Sequence, residues 1–220
     1  RRQYVEVFGY FCRDWSSVCF GGGINKKTNM NWDDFEKRVR SCKNCRLCEG
    51  RTNVVPGEGS YEASVMFVGE GPGRDEDLQG RPFVGAAGKF LNELLSTIGF
   101  SREDVYIANI VKCRPPQNRD PETDEVEMCW SYLVEQINAI KPKLIVMLGR
   151  HSMNRFLPGL KISEVHGQPK RYAGIWQEKQ VYLPVYHPSF ALYYPRKRGI
   201  IIEDFNKIPL IFKKLSQEKY

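Results

Sequence analysis

An α/β fold built on a central parallel sheet is predicted for this 220-residue chain by three observations. Four short apolar runs, Ser64 to Val68, Val105 to Val111, Leu144 to Leu148 and Val181 to Tyr186, are spread along it. Each run is apolar at most positions instead of alternating, the mark of a strand covered on both faces. Helical patterns lie between the runs, and a crossover through a helix makes the strands it joins parallel. The expected architecture is a three-layer sandwich, a central parallel four-stranded sheet flanked by helices. Its ligand-binding groups should gather at the carboxyl ends of the strands.

Asn31 is placed to cap a helix in which Trp32, Phe35 and Val39 share a face, with Asp34 three residues after the cap. That helix delivers Cys42 and Cys45. Phe90, Leu91, Leu94, Leu95 and Ile98 mark a second helix that stops at Gly99. Val126, Cys129, Trp130, Leu133 and Ile137 mark a third, entered after Pro121. The stretch from Lys161 to Gln180 reads as a polar loop followed by an edge hairpin around Tyr172 to Trp176. Ile200, Ile201, Phe205, Ile208 and Phe212 close the chain with a helix that Pro209 should bend or interrupt. Residues 1–30 read as a leader or N-terminal extension, with three consecutive glycines from Gly21, and 31–220 as one domain.

The chain carries 33 Lys plus Arg against 26 Asp plus Glu, a formal charge of +7, which favours a polyanionic partner. No stretch reaches the apolar length of a membrane span and the first residues lack a secretory apolar core, so an intracellular, cytoplasmic protein without a membrane partner is expected. The domain is long enough to bury a core without disulfides, so its seven cysteines read as ligands, buried thiols or reactive thiols. Cys42 and Cys45 are separated by two residues, and Cys113 and Cys129 follow at the end of a strand and within a helix. Two such pairs suit four ligands to a metal or an iron–sulfur centre, and spacing alone does not separate zinc from a cubane. Cys12, Cys19 and Cys48 are weaker candidates.

Between the pairs lies Gly69-Glu-Gly-Pro-Gly-Arg-Asp-Glu-Asp77, then Gly80-Arg-Pro-Phe-Val-Gly85. Neither dinucleotide nor P-loop spacing is present, which argues against a nucleotide cofactor. Glycines here allow a base or sugar to approach the backbone, and Glu70, Asp75, Glu76 or Asp77 can supply an acid, a base or a water-orienting carboxylate. Phe83 lies in a loop with little reason to be ordinary core and is a candidate platform for a flipped base. Asn109, at the end of the second run, offers a donor and an acceptor to a pyrimidine edge. His187 follows the last run; as an imidazolium it could hydrogen-bond to an oxygen gaining negative charge. Beyond it Arg196, Lys197 and Arg198 are phosphate-contacting candidates among tyrosines. His151 and His166 lack this context and read as surface or local hydrogen-bonding residues.

Taken in order, Gly69-Glu-Gly-Pro-Gly73, Gly80-Arg-Pro-Phe-Val-Gly85, Asn109 to Cys113 with Arg114-Pro-Pro-Gln-Asn-Arg119, and His187-Pro-Ser189 closely resemble the family 4 uracil-DNA glycosylases, iron–sulfur enzymes of archaea and thermophilic bacteria. The resemblance covers about residues 32–215. It implies a 4Fe-4S cluster on Cys42, Cys45, Cys113 and Cys129, with a structural role, and a uracil-DNA glycosylase-like fold. It also implies that Phe83 stacks on a flipped uracil, Asn109 reads it, and His187 assists at O2. Gly71 and Ser189 join the substrate-binding set, Glu70 and Glu76 are the electrostatic or water-positioning carboxylates, and Leu192 resembles an apolar insertion residue. Gly71 stands where many of these loops have Ala.

The implied activity is hydrolysis of the N-glycosidic bond of deoxyuridine in single- or double-stranded DNA by a monomer acting in base excision repair. The rivals are a family 5-like glycosylase of broader damaged-base scope and a noncatalytic iron–sulfur DNA-binding protein.

Overall fold

A computed structural model describes residues 30–172 and 180–217. Six strands form one mixed sheet: β1 (Glu58–Gly59), β2 (Val65–Gly69), β3 (Tyr106–Asn109), β4 (Leu144–Leu148), β5 (Lys170–Tyr172) and β6 (Gln180–Val185), in the order β1-β3-β2-β4-β6-β5. The four expected strands are the central four and run parallel. The short β1 and β5 add antiparallel edges. Strands of two and three residues carry no periodicity for the sequence to display.

Every residue of β2, β3, β4 and β6 is buried. Side chains alternate between two cores. Met66, Val68, Ile145 and Met147 pack with Phe35, Val39, Leu133 and Ile137 on one side. Val65, Phe67, Val146 and Leu183 pack with Leu91, Leu94, Phe205 and Ile208 on the other. Each fully buried side chain of this size contributes about 1.5–3 kcal/mol, which makes the two apolar layers the main force holding the sheet between its helices.

The Trp32–Arg40 helix starts as its sequence requires: Asn31 Oδ1 accepts a hydrogen bond from the Asp34 amide at 3.2 Å. The Ala86–Thr97 helix gives way to Gly99 at φ +75°, a conformation glycine adopts without strain. The Thr123–Ile140 helix is opened by the Glu125 carboxylate, which accepts from the Glu122 amide at 2.8 Å. At the C-terminus the expected interruption falls at Lys207, between helices Arg198–Asn206 and Ile208–Gln217, so that Pro209 sits in a first turn where its missing N–H costs nothing. The Lys161 to Gln180 stretch contains a short helix, Ile162–Val165, and β5. Residues 1–29 of the leader, with Cys12 and Cys19, and residues 173–176 of the expected hairpin lie outside the described residues. Among the described residues no helix is long and apolar enough to cross a membrane.

Candidate active site

Because the four central strands are parallel, their carboxyl ends share one rim, and each contributes to a cleft of about 860 Å³. Glu70 follows β2, Asn109 ends β3, Gly149 follows β4, and His187 lies just beyond β6. The loop before the Ala86–Thr97 helix adds Phe83. Phe83, Asn109 and His187, far apart in the chain, therefore line one cavity.

Phe83 is a bulky residue in the left-handed region, φ +52°, and only 6 % exposed. Its ring centroid lies 5.6 Å from that of His187, with the rings inclined by 34°. Glu76 holds the loop beneath it, accepting from the amides of Val84 at 2.8 Å, Gly85 at 2.9 Å and Gly73 at 3.1 Å. The Glu76 carboxylate is thus occupied by backbone donors. Asn109 is 2 % exposed, and its Oδ1 is buried without a hydrogen-bond partner. An unpaired buried acceptor is costly unless a ligand supplies a donor. The strand end that carries it is held from below by the buried Lys112, whose Nζ donates to the Asn109 carbonyl at 2.9 Å and to Gln136 Oε1 at 2.7 Å. Burial pulls the Lys112 ammonium down to about 8, against the raising influence of Cys129 and Cys113.

His187 is held by Ser189. The Ser189 amide donates to Nδ1 at 3.2 Å, and the Ser189 hydroxyl lies 2.7 Å from the same nitrogen. Burial, reinforced by His151, pulls the imidazole down to about 4. The expected imidazolium is therefore replaced by a neutral ring at physiological pH. With Nδ1 accepting, Nε2 carries the hydrogen and is the donor available to a substrate.

Glu70 differs from Glu76 in its hydrogen-bond partners. Its carboxylate accepts no hydrogen bond from the described residues, and burial, assisted by the charge of Asp120 and opposed by Arg150, raises it to about 7. His151 Nε2 lies 3.9 Å from Glu70 Oε2 and 3.2 Å from Asp120 Oδ2, and accepts from Arg150 Nε at 2.9 Å. His151, read from sequence as a surface or local hydrogen-bonding residue, thus lines the cleft beside the catalytic candidate. Asp120 and Arg150 join it there. Nothing in their spacing signals this, because the sheet brings three separate loops together. His166 keeps a local role, with Nδ1 2.6 Å from Asp204 Oδ2.

Gly71 lines the cleft, and a methyl group there would lie 2.7 Å from Val111 Cγ2. Leu192 and Tyr193 stand exposed on the rim, at 45 % and 79 %. Arg196 and Lys197 follow them on the surface, whereas Arg198 turns back to pair with Glu93 and lies 4.2 Å over the Phe90 ring.

The expected 4Fe-4S cluster is corrected. Cys42, Cys45, Cys113 and Cys129 line one small hollow with Cys48. Among the described residues, however, the one set of three or more His, Cys, Asp or Glu donors whose atoms lie within 4.8 Å of one another is Glu70, Asp120 and His151, with no thiol in it. Burial raises the Cys45 and Cys113 thiols and pushes Cys129 up to about 12. Cys113 and Cys129 are hydrogen-bond acceptors as well: Arg51 Nη1 donates to Cys113 Sγ at 3.1 Å, and the Lys112 amide donates to Cys129 Sγ at 3.2 Å.

Strand ends that present an unpaired carboxamide oxygen, a neutral imidazole donor and an aromatic wall define a pocket for a planar, hydrogen-bonding ring. Comparison with known proteins agrees: the model of the uracil DNA glycosylase superfamily matches residues 56–209, and the chain belongs to that superfamily. Within it the chain is a member of the type-4 group. It is 50 % identical over 183 residues to the type-4 uracil-DNA glycosylase of Sulfurisphaera tokodaii, covering 80 % of this chain and 82 % of the relative. It is 50 % identical over 181 residues to that of Archaeoglobus fulgidus, covering 80 % and 90 %. The type-5 uracil-DNA glycosylase of Pyrobaculum aerophilum is 33 % identical over 197 residues, covering 74 % and 84 %.

Proposed function

We propose that residues 31–220 form one glycosylase domain that hydrolyses the N-glycosidic bond of deoxyuridine in DNA, releasing uracil and leaving an abasic site for base excision repair. The observation that carries this reading is the partnerless Asn109 Oδ1, 2 % exposed at the end of β3. Uracil has the donor this acceptor needs: N3–H meets Oδ1, while the Asn109 amide donates to O4. Cytosine presents an amino group at position 4 and no hydrogen at N3, so both contacts fail.

The flipped base stacks on Phe83, and His187 Nε2–H donates to O2. As the C1′–N1 bond breaks, its electron pair leaves with uracil, whose negative charge spreads to O2, and the deoxyribose gains oxocarbenium-like positive charge. A neutral imidazole suits this step, because it donates without first having to bind a proton. Glu70, free of competing hydrogen bonds, faces the sugar: as a carboxylate it stabilises the cation and accepts the proton of the water whose oxygen bonds C1′. Glu76 belongs to the loop rather than to the water. Ser189 acts through His187, fixing its tautomer. Gly71 gives the substrate close access to the backbone, and Leu192 or Tyr193 fills the space the base vacates. Arg196 and Lys197 contact phosphates; Arg198 organises their support.

The reading includes a monomeric enzyme working in the cytoplasm on uracil-containing DNA, without a membrane partner. The higher identity to type-4 than to type-5 relatives favours narrow base scope. Incubation of the purified full chain with oligonucleotides containing uracil, hypoxanthine or mispaired thymine tests it. Release of uracil from single- and double-stranded DNA, with little release of the others, supports the proposal. Comparable release of hypoxanthine would favour the broader glycosylase, and binding without release would favour a noncatalytic DNA-binding protein.

A further inference from the structure

Phe83 holds a backbone conformation that a bulky side chain avoids, φ +52°, at the point where the proposed reaction needs a flat wall. Such strain persists only where neighbouring groups over-determine it. Its carbonyl is gripped from both sides. A Cβ on Gly88 would lie 1.9 Å from Phe83 O, so the first turn of the Ala86–Thr97 helix closes directly on that oxygen, and only a glycine leaves room. On the other side Arg102 Nη1 donates to Phe83 O at 3.1 Å, and its Nη2 donates to Pro82 O at 2.6 Å.

Arg102 is itself tied in place. Its side chain is 17 % exposed, its Nε donates to Glu58 Oε1 at 3.1 Å, and Nη1 also donates to Asn92 Oδ1 at 3.1 Å. Glu58, held below the ordinary carboxylate range chiefly by its hydrogen bonds to Arg81, stays charged to receive it. The next two residues of the loop, Val84 and Gly85, give their amides to Glu76. Across four consecutive residues, the carbonyls of the first two, Pro82 and Phe83, are therefore held by a guanidinium and the amides of the last two, Val84 and Gly85, by a carboxylate. A planar fork is suited to this, because it grips two carbonyls at a set angle where an ammonium acts as a point charge.

We propose that Arg102 is a positioning residue for base excision: it holds Phe83 in its left-handed conformation and so sets the plane on which the extruded base stacks. This rests on the function proposed above. Arg102 itself is absent from the cleft lining, and its effect reaches the substrate only through Phe83.

A double-mutant cycle tests it, with Arg102→Gln and Phe83→Ala made singly and together and kcat/KM measured for uracil release from single-stranded DNA. In the Phe83 background, Arg102→Gln is expected to lower kcat/KM by about 10- to 100-fold, the scale on which small misplacements of a reacting group act. In the Phe83→Ala background it should change kcat/KM by less than about twofold, since the platform it serves is gone. Arg102→Lys, which keeps the charge and loses the fork, should fall between the wild type and Arg102→Gln, and it supplies the cycle if Arg102→Gln does not fold. Equal losses in both backgrounds, or wild-type activity in Arg102→Gln, would overturn the positioning role while the glycosylase reading stands. Failure of the wild type to release uracil would overturn both.

Discussion

Phe83 and Asn109 approach one another across Gly69 so closely that a methyl group on Gly69 would lie 2.7 Å from Phe83 Cζ and 2.4 Å from Asn109 Oδ1. The glycine at the end of β2 is therefore part of the pocket floor. Gly69→Ala must push the ring or the carboxamide out of place. With the fold retained by circular dichroism, kcat/KM for uracil release is expected to fall by about 100-fold. Activity within threefold of wild type would show that the two side chains need not meet.

Asn109→Asp replaces a donor and acceptor pair with a group that only accepts when charged. Facing O4 of uracil, a carboxylate repels instead of donating, and excision of uracil should fall by about 100-fold or more. Release of cytosine, whose amino group can donate to the new oxygen, is expected to become measurable. Product analysis on uracil- and cytosine-containing strands checks both.

The Glu70 carboxyl, raised to about 7, makes both rate and stability depend on pH. For rate, the carboxylate is the active form, so kcat/KM should rise through about pH 7 and show no further loss of His187 function until near pH 4. For stability the sign is opposite. A carboxylate whose folded value lies above its unfolded one favours the folded state at low pH, and that contribution is lost as pH rises through about 7. Glu70→Gln is expected to flatten the rate profile at a much lower level and to stabilise the protein at pH 8 by on the order of 1–3 kcal/mol. Thermal melts at two pH values separate this from Glu76→Gln, which weakens the hold on three backbone amides and should lower the melting temperature.

Arg196 and Arg198 should behave differently although two residues apart. Arg196→Ala removes a rim cation and should weaken DNA binding regardless of sequence, lowering the slope of log K against log salt by about 1. Arg198→Ala removes a partner of Glu93 and the Phe90 ring, and should leave that slope nearly unchanged while lowering stability by about 0.5–1 kcal/mol. Salt titrations of binding to a fluorescent oligonucleotide distinguish the two.

Much of this arrangement was legible in the sequence because it depends on local pattern. Apolar runs buried on both faces mark the four parallel strands, and residues at their ends, Glu70, Asn109 and His187, fall on one rim of the sheet once the strands are parallel. Phe83 stood out as an aromatic in a glycine-rich loop. What escaped depends on long-range contact. His151, Asp120 and Arg150 come together with Glu70 only through the folded sheet, and the division between Glu70 and Glu76 is set by which backbone amides each meets. The neutral state of His187 comes from burial, which the sequence does not display and which pulls the ring down to about 4. Cysteine spacing suggests a cluster, but spacing does not fix whether the donor atoms converge in the fold.

A crystal structure of the protein soaked with free uracil would show whether Phe83, Asn109 and His187 hold one base. The ring is expected against Phe83, with N3–H on Asn109 Oδ1 and O2 facing His187 Nε2. Uracil bound with its N3 edge turned away from Asn109, or seated outside this cleft, would contradict it.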